Sequence, residues 1–150
     1  KQPDIVLVGS QSGTIPYDIH HPRTYSLGSL AFLMGTRPDA CVLVVNSIDA
    51  DDYVQDTLDV LRGVGKTRVL ALAMSDKEKH QREIMGRTLH VPQQMEQGEI
   101  EVRLAYFEER FGLPAVAILA AGGQECLVEL IVDYFGTHGQ EEAIWAKQSA

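Results

Sequence analysis

Cysteine is scarce, basic residues are outnumbered, and no long apolar run occurs. Each shortage excludes something. The two cysteines in 150 residues, Cys41 in an apolar run and Cys126 just after a glycine pair, do not make a disulfide framework for a chain long enough to hold one core without it. A reducing cytoplasm is the expected setting. Thirteen Lys and Arg against 21 Asp and Glu leave a formal charge of -8, and the basic residues are scattered with no stripe. Nucleic acid is therefore not an expected partner. No apolar run approaches the roughly 20 residues of a membrane span, and no charged-apolar-small pattern of a signal peptide opens the chain, so a membrane is not expected either. Internal repeats and low-complexity segments are also lacking. The chain opens KQPDIVLV without Met and meets an apolar run almost at once. It is expected to be one domain, residues 1–150, forming the carboxyl-terminal piece of a longer protein.

Hydrophobic residues, by contrast, make up 45% of the chain, and they come in short runs. Ile5 to Val8, Ala40 to Val45, Arg68 to Ala73 and Ala115 to Ala120 are each too short for a helix and nearly continuously apolar. Strands covered on both faces of a parallel sheet read this way, whereas half-exposed strands alternate. Segments of helical character lie between them. TYSLGSLAFLMG places Leu27, Leu30, Ala31 and Met34 on one stripe, and DADDYVQDTLDVLRGVG repeats Val54, Leu58 and Leu61 behind an acidic first turn, with Gly63 to stop it. The long third connection holds a charged segment, a break at Pro92 and a helix from about Gln97 to Arg110 ending at Gly112. GGQECLVELIVDYFG is a helix with Leu127, Leu130, Ile131 and Tyr134 inward, followed by a polar tail that contains Ile144 and Trp145.

Strands alternating with helices imply right-handed βαβ units. The expected fold is α/β: a Rossmann-like, three-layer α/β/α domain with a mainly parallel sheet of about four strands. Ligands of such sheets bind outside the carboxyl ends of the strands, so strand order alone gathers a candidate site. It holds Ser10, Gln11, Ser12, Gly13 and Thr14 after the first run, Asn46, Asp49 and Asp51 after the second, Ser75 and Asp76 after the third, and Gly122, Gly123 and Gln124 after the fourth. Of these, Ser10 to Thr14, Asn46, Asp49 and Gly122 to Gln124 are the expected ligand-binding residues. Hydroxyl and amide groups of Gln11, Ser12 and Thr14 would hydrogen-bond a small-molecule ligand, Asn46 and Asp49 would fix its polar groups or an amine, and the glycines would receive an anionic end.

Three stretches invite a phosphate-loop reading. GSQSGT, Gly9 to Thr14, resembles the loop that opens a helix around FMN phosphate in flavodoxins, but Pro16 and Pro22 follow and deny it immediate helix entry. GVGKT, Gly63 to Thr67, looks like the end of a Walker A loop. Val60 stands where that pattern requires Gly, and the stretch follows a helix and opens a strand, the reverse of what a phosphate cradle needs. A helix cap and turn with a solvated Lys66 is the expectation. LAAGGQEC, Leu119 to Cys126, has the right topology, although a glycine pair also serves any tight strand-to-helix turn. Cys126 is either a nucleophile assisted by the helix start or a small apolar filler. Asp18, His20 and His21 offer metal-ligand donors without a ligating spacing, so no metal site is expected. No cofactor and no catalytic residue is read from the sequence.

DIVLVGSQSG, RPDACVLVVN and RVLALAMSD, in that order, resemble P-loop proteins of the dethiobiotin-synthetase-like group. LVGSQSG followed by HHP and SLGSLAFLMGTRPDACVLVVN is similar to the carboxyl-terminal domain of the D-amino-acid N-acetyltransferase-like P-loop family, through Gln11, His21, Pro22, Gly35, Arg37, Pro38, Asp39 and Ala40. A weaker likeness runs to peptide-maturation-system proteins of natural-product clusters. The resemblance implies a small-molecule-binding domain of a P-loop-like acyl- or amide-forming enzyme. Two departures bear on its chemistry: Gly9 stands where a magnesium-holding acid would end the first strand, and no Walker A string occurs. Phosphoryl transfer needs both parts. The chain by itself is therefore not expected to hydrolyse ATP, and enzyme activity would require a missing amino-terminal domain or partner protein. The alternative is a noncatalytic protein-interaction module in a peptide-maturation or biosynthetic pathway, and a homo-oligomer is a further possible assembly.

Overall fold

The computed structural model describes residues 5–10, 13–15, 27–84 and 87–148. They divide into two units, Lys1–Asp39 with Asp51–Arg68 and Ala40–Ala50 with Val69–Ala150.

The first unit carries α1, Leu27–Thr36, and α2, Asp51–Gly63. Acids at Asp51 and Asp52 and a base at Arg62 match the helix dipole of α2 at both ends. Val54, Leu58 and Leu61 are buried as their spacing predicts, joined by Thr57, whose hydroxyl donates to the Tyr53 carbonyl at 2.8 Å. The stripe expected on α1 is corrected. Ser29 and Leu33 are its buried residues, while Leu27 and Met34 are exposed. This helix is apolar nearly all round, so spacing alone does not single out one face. After α2 the chain turns through Val64 and Gly65, whose amides both donate to the Val60 carbonyl.

The second unit is built on a three-stranded sheet in the order β1-β2-β5, with β1 at Ala40–Val45, β2 at Arg68–Met74 and β5 at Ala115–Ala117. The sheet is mainly parallel, and with four helices among the described residues the fold is α/β and Rossmann-like. β2 and β5 run parallel with Met74 opposite Ala117. β2 supplies the core through Val69, Ala71, Leu72, Ala73 and Met74, all buried. Two helices, α3 at Gln97–Phe111 and α4 at Gly123–Gln148, contact β5. Ile100, Phe107 and Phe111 are the buried residues of α3, which begins where the Glu99 carboxylate accepts the Glu96 amide at 3.0 Å and ends at left-handed Gly112, φ 64.

Three strand expectations change. Ile5 to Val8 lies outside any strand and is exposed, leaving three strands in the parallel sheet against about four expected. β5 stops at Ala117 because the chain turns there, with the Ala120 amide donating to the Ala117 carbonyl. The charged segment is not broken at Pro92. It forms an antiparallel hairpin, β3 at Lys77–Ile84 with β4 at Arg87–Gln94, as a separate two-stranded sheet. Pro92 sits within it opposite Lys79, a position a two-stranded edge tolerates.

Candidate functional site

β1 ends at Val45, and the next four residues close on themselves. The Asp49 carboxylate accepts the Asn46 amide at 2.8 Å and the Asn46 side-chain Nδ2 at 3.1 and 3.2 Å, while the Asp49 amide donates to the Asn46 carbonyl. Asp49 is buried and Asn46 exposed. Both carboxylate oxygens of Asp49 are thus engaged in shaping the turn, a common use of Asp beside a strand end. Ser47, also buried, reaches from this turn to the Glu78 carboxylate at 3.5 Å. That contact ties the turn after β1 to the start of β3.

β2 ends at Met74 and delivers Asp76, which is 7% exposed. Its Oδ2 accepts Gln94 Nε2 at 2.7 Å, brought there by the register that sets Lys77 opposite Gln94. Its backbone carbonyl accepts the Met95 amide. Oδ1 is buried with no hydrogen-bond partner among the described residues. Such an oxygen costs several kcal/mol unless something donates to it. Nearby in the chain, the Ser75 hydroxyl accepts the Lys77 amide at 3.2 Å.

Arg103 on α3 reaches the same side, donating from Nη2 to the Asp49 carbonyl at 3.4 Å. Its guanidinium lies 4.4 Å from the Phe107 ring centre and 4.9 Å from that of Tyr106. These are cation–π distances, and they hold a charge in place without an acid. Its Nε is buried with no hydrogen-bond partner among the described residues. Arg103 and Gln94 escape a reading of strand ends because neither follows a strand of the parallel sheet. The only sequence sign of Arg103 is its three- and four-residue spacing to two aromatic residues on a helix.

β5 ends at Ala117 and α4 starts at Gly123. Gly122 has φ 80 with open space around its missing Cβ, whereas a Cβ on Gly123 would collide with the Ala117 carbonyl oxygen. Both glycines therefore have a backbone reason to be there. Gln124 and Cys126 are exposed in the first turn of α4, and the Cys126 amide donates to the Gly122 carbonyl. Burial pushes the other thiol, Cys41, up from 9.0 to about 11, which keeps it protonated at neutral pH.

The remaining expected residues belong to the first unit. The Ser10 and Ser29 hydroxyls are hydrogen-bonded at 2.8 Å. Gly13 faces the Tyr53 hydroxyl, 3.0 Å from where a Cβ would stand. Thr14 is half-buried and Asp51 begins α2. Gln11 and Ser12 lie outside the described residues, as do Asp18, His20 and His21. Lys66 is exposed in the turn between α2 and β2 with φ 54, at the end of β2 opposite Asp76. Among the described residues no group of three or more His, Cys, Asp or Glu could hold a metal ion, and no helix is long and apolar enough to cross a membrane.

A mainly parallel sheet whose helices return to it, with its polar groups collected past the ends of β1 and β2, defines an α/β domain of the P-loop-like class. Residues 1–128 match the family described as "Domain of unknown function (DUF1611_C) P-loop domain", and the chain belongs to that family. No curated protein and no solved structure matches it.

Proposed function

We propose that the chain is the small-molecule-binding domain of a P-loop-like acyl- or amide-forming enzyme, with its ligand at the carboxyl edge of β1-β2-β5. The observation that carries this reading is the Asp76 Oδ1 atom, buried and without a donor among the described residues, past the end of the central strand. Parallel sheets bind ligands at this edge, and a carboxylate oxygen there is a place for a ligand N–H or O–H. Asn46, exposed on the adjoining turn, and Gly122 to Gln124 beyond β5 supply further polar contacts in the same reading. Ser10 to Thr14, which belong to the first unit, are proposed as ligand-binding residues of that unit on the strength of their residue types alone. Acyl transfer is favoured over ATP hydrolysis because GVGKT forms a helix-to-strand turn and no Walker A string is present. The partner that completes the enzyme would be an amino-terminal domain or a separate chain, in the cytoplasm.

Thermal denaturation with nucleotides, acyl-CoA and amino acids tests this. A ligand at a hundredfold excess over its Kd raises stability by about 2.7 kcal/mol. Asp76→Asn keeps the shape and removes the charge, so it is expected to abolish that gain. Either no stabilisation by any compound or an unchanged gain in Asp76→Asn overturns the proposal. A second reading, the noncatalytic interaction module, is favoured by one observation: Val128 and Val132 stand exposed one turn apart on α4.

A further inference from the structure

Arg103 is the charged group that the proposed ligand contacts leave unexplained. A guanidinium carries five N–H donors. Among the described residues Arg103 makes one hydrogen bond, from Nη2 to the Asp49 carbonyl at 3.4 Å, and its Nε is buried without a partner. No carboxylate among those residues pairs with it, in a chain of 21 acids and 13 bases.

Two acids placed to pair with it are engaged elsewhere. Glu99 stands one helical turn before it, the spacing at which a helical acid meets a base, but its carboxylate accepts the Glu96 amide in the capping box. Asp49 presents its carbonyl to Arg103 and turns both carboxylate oxygens to Asn46. Packing meanwhile fixes the cation. The guanidinium lies over Phe107, which is fully buried, and beside Tyr106, so it cannot swing out to solvent without giving up both rings. All of these groups belong to the second unit. A charge held in place with a buried, unmet donor calls for a counter-ion that arrives with a ligand. The fork edge that contains Nε is the open one, and two parallel donors there match the paired oxygens of a carboxylate or a phosphate.

We propose that Arg103 binds an anionic oxygen group of the ligand, at the sheet edge where Asp76 Oδ1 lacks a donor among the described residues. This rests on the reading of that edge as a ligand site and narrows the ligand: it carries an oxygen anion for Arg103 and an N–H or O–H for Asp76. It also moves the anionic end away from Gly122 and Gly123, whose positive φ and close approach to Ala117 follow from backbone geometry.

Titration of the full chain with sodium acetate and with inorganic phosphate, at constant ionic strength held by NaCl, tests this through the arginine Nε–Hε signals in proton–nitrogen correlation spectra. The Arg103 signal is assigned through its own backbone amide, so the reading does not depend on a variant that folds. That signal is expected to shift saturably. Saturation by acetate alone identifies a carboxylate end, by phosphate alone a phosphate end, and by both an oxygen anion of either kind. Arg103→Lys keeps the charge and loses the fork, so the affinity read from the backbone amides of 46–50 is expected to fall by about tenfold, the scale of one charge-assisted hydrogen bond. Asp76→Asn is expected to keep the anion response while losing the stabilisation by the ligand of the thermal screen, which separates failure at Arg103 from failure at Asp76. An Arg103 signal that moves with neither anion, or only in proportion to concentration, overturns the proposal. Unchanged anion affinity in Arg103→Lys overturns it as well.

Discussion

Gly123 shows how a residue that reads as a ligand contact is also explained by backbone packing. The first residue of α4 lies so close to the end of β5 that a Cβ would overlap the Ala117 carbonyl oxygen and come within 2.9 Å of its carbon. Backbone atoms on both sides leave no rotamer to relieve the clash. Gly123→Ala is therefore expected to lower stability by about 3 kcal/mol, at the upper end of what overpacking costs. Urea unfolding measures it, and a loss below about 0.5 kcal/mol, the usual range of an uncommitted surface site, defeats the packing argument. Asp76 makes the opposite case. Its neighbours satisfy one carboxylate oxygen and leave the other buried and unmet, so packing accounts for only half of it. Asp49 resembles it in type and burial yet has both oxygens engaged by Asn46. Sequence position past a strand end selects all three residues; a Cβ clash accounts for Gly123, and hydrogen-bond accounting separates the two aspartates.

Elements with a strong internal period were legible in the sequence, and elements that depend on a distant partner were not. β1 is read to the residue at Ala40–Val45, and α3 is read to within one residue, because apolar continuity and a glycine stop are local signals. α2 carries its inward residues at a clean helical interval behind acidic first-turn residues. α1 has no such contrast, and the face it buries is not the one its spacing suggests. Ile5 to Val8 has the apolarity of a strand but is exposed and paired with nothing in the described residues. The hairpin is hidden in the sequence for the converse reason: its ladder is specified by cross-strand pairing between residues as far apart as Lys77 and Gln94, with no apolar run to announce it. The difference between α1 and α2 has a measurable consequence. Leu58 is fully buried, so Leu58→Ala is expected to cost about 3 kcal/mol, in the range of core Leu truncations. Leu27 is 69% exposed, so Leu27→Ala is expected to stay within about 0.5 kcal/mol. Equal losses in denaturant titrations of the two variants would contradict the burial assignment of α1.

For the whole molecule, the family match and the fold agree on a P-loop-like architecture, while the phosphate cradle that gives such domains their name is not written in these residues. That leaves two candidate places for a ligand on β2, one at each end of the strand. Before it stands GVGKT, with Lys66 exposed, and beyond it stands Asp76. Physical chemistry favours the second. Amides of Val64, Gly65 and Thr67 in the first are already donated to carbonyls of α2, so they are not available to converge on a phosphate. In the second, Asp76 retains an unmet acceptor beside the buried Ser47 and Asp49 of the neighbouring turn. Hydrogen exchange on the full chain distinguishes them directly. Bound ligand slows exchange of the amides it covers or steadies, because local opening then requires its release. With the compound that gives the largest thermal stabilisation, exchange is expected to slow at 46–49, 75–78 and 118–124 and to stay unchanged at 63–67. Protection confined to 63–67 would move the site to the other end of β2 and restore GVGKT as its phosphate contact, with Lys66 as the cation that meets it.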